Sequence, residues 1–223
     1  MNARKLALFD LDHTLIPMDS DYSWGEFTMG LGWVDPAEFK RQNDAFYAHY
    51  QNETLDIDAY VRFSTAAFCA QGAEKALAAH AKYMEQVVHT FIHPQAQALV
   101  RQHQDAGDDV IIVTATNEFV TRPIAKAFGV DELMAVDLER DSTGWFTGTI
   151  RGTPSFREGK VTRVEEWLTA RGLDWSQVET TFYSDSINDL PLLEKVNHPV
   201  ATNPDARLRP LAQARGWRIL DLF

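Results

Sequence analysis

The sequence predicts an α/β fold, a doubly wound parallel sheet with a block of helices inserted after the first strand. Three observations carry this reading. Short, wholly apolar runs such as Leu6-Ala7-Leu8-Phe9 and Val110-Ile111-Ile112-Val113 have the character of strands buried on both faces. From Pro94 onward such runs alternate with helical segments, as βαβ units require. Between Ile16 and His93 the alternation disappears and only helical patterns remain.

Taken in order, the first strand ends at the polar residues after Phe9. Asp35-Pro36 starts a helix, with a capping carboxylate followed by proline at the first helical position. Phe39, Phe46, Tyr47 and Tyr50 are expected on one face of that helix, and Val61, Thr65 and Phe68 on one face of the next. Ala73 to Val88 is rich in helix formers. A helix from Pro94 to Ala106 stops at Gly107, before the strand Val110–Val113. Glu118 to Phe128 is helical and stops at Gly129; Leu133 to Val136 is the next strand. Asp141-Ser142-Thr143-Gly144 ahead of Phe146-Thr147-Gly148-Thr149 predicts a hairpin excursion. Val161 to Ala170 is a helix, Thr181-Phe182-Tyr183 a strand, Asp189 to Lys195 a short helix and Pro199-Val200-Ala201 a last strand.

The composition, 45% hydrophobic and 24% charged over 223 residues, suits one large domain or a core with a modest insertion. No apolar run is long enough to cross a bilayer, and the first residues lack the apolar stretch of a secretory signal. A net charge of −11 with no basic run argues against a nucleic-acid partner. The single cysteine, Cys69, excludes an intrachain disulfide and reads as a buried structural thiol. A cytoplasmic protein without a membrane partner is expected; oligomeric state is not legible.

In an open parallel sheet, ligands bind beyond the carboxyl ends of the strands. Asp10 and Asp12 follow the first strand, Thr114 to Asn117 the second, and Ser184, Asp185, Ser186, Asn188 and Asp189 the strand near Phe182. Each cluster alone has a bland alternative, because Asp, Ser and Asn also cap turns and helices. Three strand ends delivering carboxylates and hydroxyls to one edge make the stronger case for a site. His89 and His93, four apart, resemble half of a zinc site, but no third ligand is evident. His13 is assigned no role.

With these residues in order, the chain resembles the haloacid dehalogenase superfamily of phosphatases. The four motifs are Asp10-Leu11-Asp12-His13-Thr14, Val110-Ile111-Ile112-Val113-Thr114, Lys160, and Asp185 with Asn188-Asp189. The resemblance spans essentially the whole chain and implies a Rossmann-like core of residues 1–15 and 94–223. Residues 16–93 then form an all-helical cap of the C1 type, as in the subfamily that contains phosphoserine phosphatase. It further implies a Mg²⁺-dependent phosphatase in which Asp10 attacks phosphorus and becomes an aspartyl-phosphate. Asp10, Asp185 and the backbone carbonyl of Asp12 would hold Mg²⁺. Asp12 would serve as general acid and then base, which calls for a raised pKa. Thr114, the backbone after it at Ala115, Lys160 and Asn188 would meet the phosphate, with Asp189 anchoring them.

Asp19, nine positions after Asp10, stands where phosphoserine phosphatases place the acid that reads the substrate amine. Asp21, Tyr22, Trp24 and Glu26 extend that lip, although Tyr22 and Trp24 packing the cap against the core is an equal reading. Arg62 or Arg41 would stand for the arginine that binds a substrate carboxylate. Such an entrance suits a small phosphorylated metabolite bearing an amine, phosphoserine or an amino-alcohol phosphate such as L-histidinol phosphate. A phosphotransferase of the same fold is a second class. A receiver-like signalling domain is a third, disfavoured by the helical insertion and by the second aspartate.

Overall fold

The computed structural model describes residues 4–52 and 54–223. Six parallel strands form one sheet in the order β3-β2-β1-β6-β7-β8. They are β1 (Arg4–Phe9), β2 (Asp109–Asn117), β3 (Glu132–Val136), β6 (Val178–Ser184), β7 (His198–Thr202) and β8 (Arg218–Leu220). From β1 the chain winds outward to β3, then crosses to β6 on the other flank of β1. The order therefore reverses between β1 and β6, which opens a ligand crevice beyond their carboxyl ends. Phe9 pairs with Ile112 of β2 and with Tyr183 of β6, so β1 and β6 end together while β2 runs on beyond them.

Alternation along β1 assigns its two faces. Leu6 and Leu8 pack with Ile111, Val113 and Phe182 under α8 (Glu158–Thr169), α9 (Leu190–Lys195) and α10 (Leu208–Arg215). Ala7 and Phe9 pack with Ile112 and Tyr183 under α6 (Pro94–Asp105) and α7 (Glu118–Ala127). Between β1 and α6 lie α1 (Ser20–Gly30), α2 (Pro36–Gln51), α3 (Ile57–Gln71), α4 (Ala73–Tyr83), a π-helical turn at Met84–Val88 and α5 (His89–Phe91). Their apolar faces, with Trp24, Val61, Phe68, Tyr83 and Val88, join the same cluster as Phe9 and Val120. The helical block and the sheet thus share one hydrophobic core.

The hairpin of β4 (Leu138–Arg140) and β5 (Phe146–Ile150) leaves the main sheet and packs on α3. Phe68 stacks on Phe119 at 4.2 Å and meets Phe146 edge-on at 6.1 Å. Gly148 adopts φ 83° where a Cβ would stand 2.9 Å from Thr65 Oγ1, so this contact requires glycine.

Several details differ from the sequence reading. Tyr47 is 58% exposed, because it lies about 80° around α2 from the face of Phe39, Phe46 and Tyr50. Strand β2 continues to Asn117, carried past Val113 by a register shift against β3. Helix α10 and strand β8 follow the last expected strand. Cys69 is half-buried, and burial pushes its thiol up to about 11, which leaves it unreactive. Among the described residues no helix is long and apolar enough to cross a membrane.

Candidate active site

Asp10 leaves the end of β1, its amide donating to the Tyr183 carbonyl of β6 at 2.9 Å. Lys160 Nζ lies 2.8 Å from Asp10 Oδ1 and 2.7 Å from Asp189 Oδ2. Its ammonium is almost fully buried, 2% exposed as a residue. Burial alone would lower its pKa, but Asp10 and Asp189 overcome this and hold it above the ordinary range. The lysine is placed by the start of α8, where a Cβ on Gly159 would fall 2.0 Å from the Pro154 carbonyl oxygen. Only glycine lets the 154–157 loop close on that helix turn and seat the next residue against Asp10.

Thr14 connects the first and last motifs. Its Oγ1 lies 3.3 Å from Asp10 Oδ2 and 3.1 Å from Asp185 Oδ1, and accepts the Asp185 amide at 3.0 Å. Burial, then Asp10 and Asp189, push the Asp185 carboxyl well above the ordinary carboxylate range. Ser184 Oγ donates to Asp189 Oδ2 at 2.7 Å, completing that anchor of Lys160. Burial raises Asp189 to about 6, against the pull of Lys160.

Asp12 faces the helical block. The Ser20 amide donates to its Oδ1 at 2.8 Å and the Thr116 hydroxyl to its Oδ2 at 2.8 Å. Burial, followed by the charges of Asp19 and Asp10, raises its carboxyl to about 8. Thr114 Oγ1 is buried and accepts the Thr116 amide at 3.1 Å, with Ala115 partly exposed between them. Asn188 is 6% exposed, and among the described residues its Oδ1 is buried without a hydrogen-bond partner.

The remaining expected residues divide. Asp19 caps α1, accepting the Tyr22 amide at 2.8 Å, and its charge reaches Asp12 and Asp21. Asp21 is 5% exposed and takes a bond from Asn117 Nδ2 at 3.2 Å; Tyr60 and Ser64 of α3 also donate to it. Burial and then Asp19 raise its carboxyl to about 7. Trp24 is core, ringed by Tyr83, His80 and Phe119 at 5.3 to 5.7 Å. Glu26 is exposed on the outer side of α1 beside Tyr22. Arg62 is exposed on α3, away from the face of Val61, Thr65 and Phe68, and Arg41 pairs with Glu38 on the surface. The structure brings neither arginine to the carboxylates, because both lie on the outer faces of their helices.

Among the described residues no three His, Cys, Asp or Glu side chains converge as a metal cage. A Mg²⁺ ion does not need one: it takes one or two carboxylates and completes its octahedron with phosphate and water. Asp10 and Asp185, drawn to one hydroxyl and repelling each other, fit that donor set.

A family model of haloacid dehalogenase-like hydrolases matches residues 7–194. The chain belongs to this family. It is 44% identical over 219 residues to a histidinol-phosphatase of Neisseria meningitidis, covering 98% of this chain and 99% of that protein. A crystal structure from Bordetella pertussis, of a protein with unknown function, is 49% identical and superposes with a TM-score of 0.93 over the whole of both chains. A substrate-bound phosphoserine phosphatase shares the fold at 17% identity, with a TM-score of 0.64 over 99% of this chain and 94% of that one. The family is the one expected from the motifs, and the chain is an enzyme of it, a hydrolase with phosphatases as relatives.

Proposed function

We propose that the protein is a Mg²⁺-dependent phosphomonoesterase that works through an aspartyl-phosphate at Asp10 and acts on a small amine-bearing metabolite phosphate, L-histidinol phosphate foremost. The carrying observation is the arrangement around Asp10: Lys160 at 2.8 Å on one oxygen, Asp185 joined through Thr14 on the other, and Asp12 two residues on. Mg²⁺ held by Asp10, Asp185 and the Asp12 carbonyl would supply positive charge against the phosphoryl oxygens, offsetting the repulsion between a carboxylate and a phosphate.

An Asp10 carboxylate oxygen attacks phosphorus while the ester oxygen departs, taking the proton of Asp12, whose raised pKa keeps it protonated at neutral pH. Asp12, now ionised, draws a proton from the water that attacks the aspartyl-phosphate. Phosphate leaves and Asp12 is protonated again. Lys160 offsets charge at Asp10, and Thr114, the amide of Ala115 and Asn188 meet the phosphoryl oxygens.

The substrate class follows from charge. Asp12, Asp19 and Asp21 gather beneath the helical block, and among the described residues no lysine, arginine or histidine pairs with them. A cationic group on the substrate suits that environment, and the exposed positions of Arg62 and Arg41 favour an amino alcohol over an amino acid. The name of the Neisseria relative points the same way. A cytoplasmic setting goes with this reading.

The test is a panel of phosphate esters with Mg²⁺: L-histidinol phosphate, L-phosphoserine, sugar phosphates and p-nitrophenyl phosphate. L-Histidinol phosphate is expected to give the highest kcat/KM, EDTA to stop turnover reversibly, and Asp10→Asn to abolish it in a folded protein. Preference for a sugar phosphate refutes the cationic-substrate reading; undiminished turnover by Asp10→Asn refutes the nucleophile.

A further inference from the structure

The helical block touches the loop after β6 through the last turn of α2. There the Tyr50 hydroxyl lies 3.0 Å from Ser186 Oγ, and its ring packs 6.2 Å from that of Phe156, just before α8. One residue on, Arg207 Nη1 donates to the Gln51 carbonyl at 3.1 Å and holds the helix end down. Neither Tyr50 nor Ser186 belongs to the machinery assigned so far.

Ser186 leads directly to that machinery. Its Oγ accepts the Asn188 amide at 3.2 Å, and its own amide donates to Ser184 Oγ at 3.2 Å. Ser184 Oγ donates to Asp189, which holds Lys160. Unbroken hydrogen bonds thus run from a helix of the inserted block to the lysine on Asp10. Burial pushes the Tyr50 phenol above its ordinary range, with Ser186 and Asn188 opposing and the charges of Asp189 and Asp185 adding to it. Because the Ser186 oxygen already accepts the Asn188 amide, its own hydrogen can go to the Tyr50 oxygen. The Asn188 side chain also hydrogen-bonds Tyr50, and, like Ser186, opposes the rise in the phenol's pKa as a donor to its oxygen does.

We propose that Tyr50 is a positioning residue that couples the seating of the helical block to the phosphate subsite, by fixing Ser186 and through it Asn188. The proposal rests on the phosphatase reading, in which Asn188 meets phosphate. A block lifted away would release Asn188 and loosen phosphate; a seated block would order it. The competing account is packing alone, in which only the ring against Phe156 counts.

Tyr50→Phe keeps the ring and removes the hydroxyl, and Ser186→Ala removes the same contact from the other side. The probe is inorganic phosphate as a competitive inhibitor of p-nitrophenyl phosphate hydrolysis, read beside kcat, KM and Tm. Each variant is expected to raise the phosphate Ki and lower kcat/KM by roughly tenfold, the loss of one buried hydrogen bond at most. Tm should move by no more than about 4 °C, the shift expected for about 1 kcal/mol in a chain of this size. The double variant should lose little beyond either single one, since both act on one contact. An unchanged phosphate Ki in Tyr50→Phe overturns the proposal, as do losses that multiply in the double variant. Should Tyr50→Phe fail to fold, an unchanged Ki in Ser186→Ala overturns it equally. A wild-type protein that hydrolyses no phosphate ester overturns the phosphatase reading itself, an outcome distinct from an active wild type with an indifferent Tyr50.

Discussion

Asp21 gives the most direct test of the electrostatics beneath the helical block. Asp21→Asn keeps the shape of the side chain and an oxygen for Asn117, Tyr60 and Ser64, and removes the charge. In the native protein burial, then Asp19, raises this carboxyl from 3.8 to about 7. The folded state therefore holds a proton that the unfolded chain has released. Its stabilising contribution is complete below the unfolded pKa and is lost as pH rises through the folded one. At about 1.4 kcal/mol per unit, the whole contribution is on the order of 4 kcal/mol, and roughly 3 kcal/mol of it disappears between about pH 5 and about pH 8. The variant lacks this dependence. Relative to wild type it should gain that same roughly 3 kcal/mol across the interval, read by urea unfolding followed by circular dichroism. Titrating groups away from Asp21 are common to the two proteins and cancel in the difference. A difference that is equal at both pH values refutes the reasoning, because Asp21 would then titrate alike in the folded and unfolded chains.

Two further outcomes follow from the lysine and the turn that seats it. Lys160→Met strands Asp10 and Asp189 without their shared cation; removing one partner of a buried ion pair costs about 3–5 kcal/mol, seen as a lower urea midpoint, together with at least about a hundredfold loss of kcat. Gly159→Ala places a methyl group 2.0 Å from the Pro154 carbonyl, and relieving that contact displaces the residue beside Lys160. The expected cost is about 1–3 kcal/mol in stability with a fall in kcat, and an unaltered kcat shows that the start of α8 does not position the lysine.

The site was legible in the sequence wherever chemistry sits at a strand end. Runs such as Val110 to Val113, β-branched and alternating with helices, read as buried parallel strands, and parallel strands present their carboxyl ends on one edge, which is where Asp10, Thr114 and Asp185 converge. Lys160 was legible only through the resemblance to the family, which places a lysine at that helix start. What escaped depends on contacts between distant segments. Thr116, which no motif singled out, donates to Asp12, because the shift of β2 against β3 extends the strand past Val113. Trp24 and Glu26 are two apart on α1 and so face opposite ways, one into the core and one into water, which settles the open reading of Trp24 as packing. Arg62 has the right chemistry for a carboxylate but the wrong face, one residue beyond the buried Val61. The bonds of Tyr50 to Ser186 and of Asp21 to Asn117 join residues about a hundred or more positions apart, and no local pattern announces either.

The two sets of carboxylates differ in one respect that bears on the substrate. Asp10 and Asp189 share a buried lysine, and Asp10 with Asp185 forms the pair suited to Mg²⁺, so the phosphoryl end of the site carries its own countercharge. Among the described residues Asp12, Asp19 and Asp21 have only hydroxyl and amide donors, and burial and the charge of Asp19 hold Asp12 at about 8 and Asp21 at about 7. Anionic groups at that end would meet unopposed repulsion, which disfavours a substrate with a second phosphate or a carboxylate there. A cation arriving with the substrate relieves the repulsion and lowers the pKa of Asp21, while Asp12 keeps its proton for the leaving group, so binding near neutral pH should expel a proton from Asp21. Proton release on binding, measured in weakly buffered solution with the Asp10→Asn variant to prevent turnover, should accompany L-histidinol phosphate and be absent with a neutral ester of similar size. Equal release from both would show that the phosphate end alone drives it, and the cationic reading of the carboxylate cluster would fall.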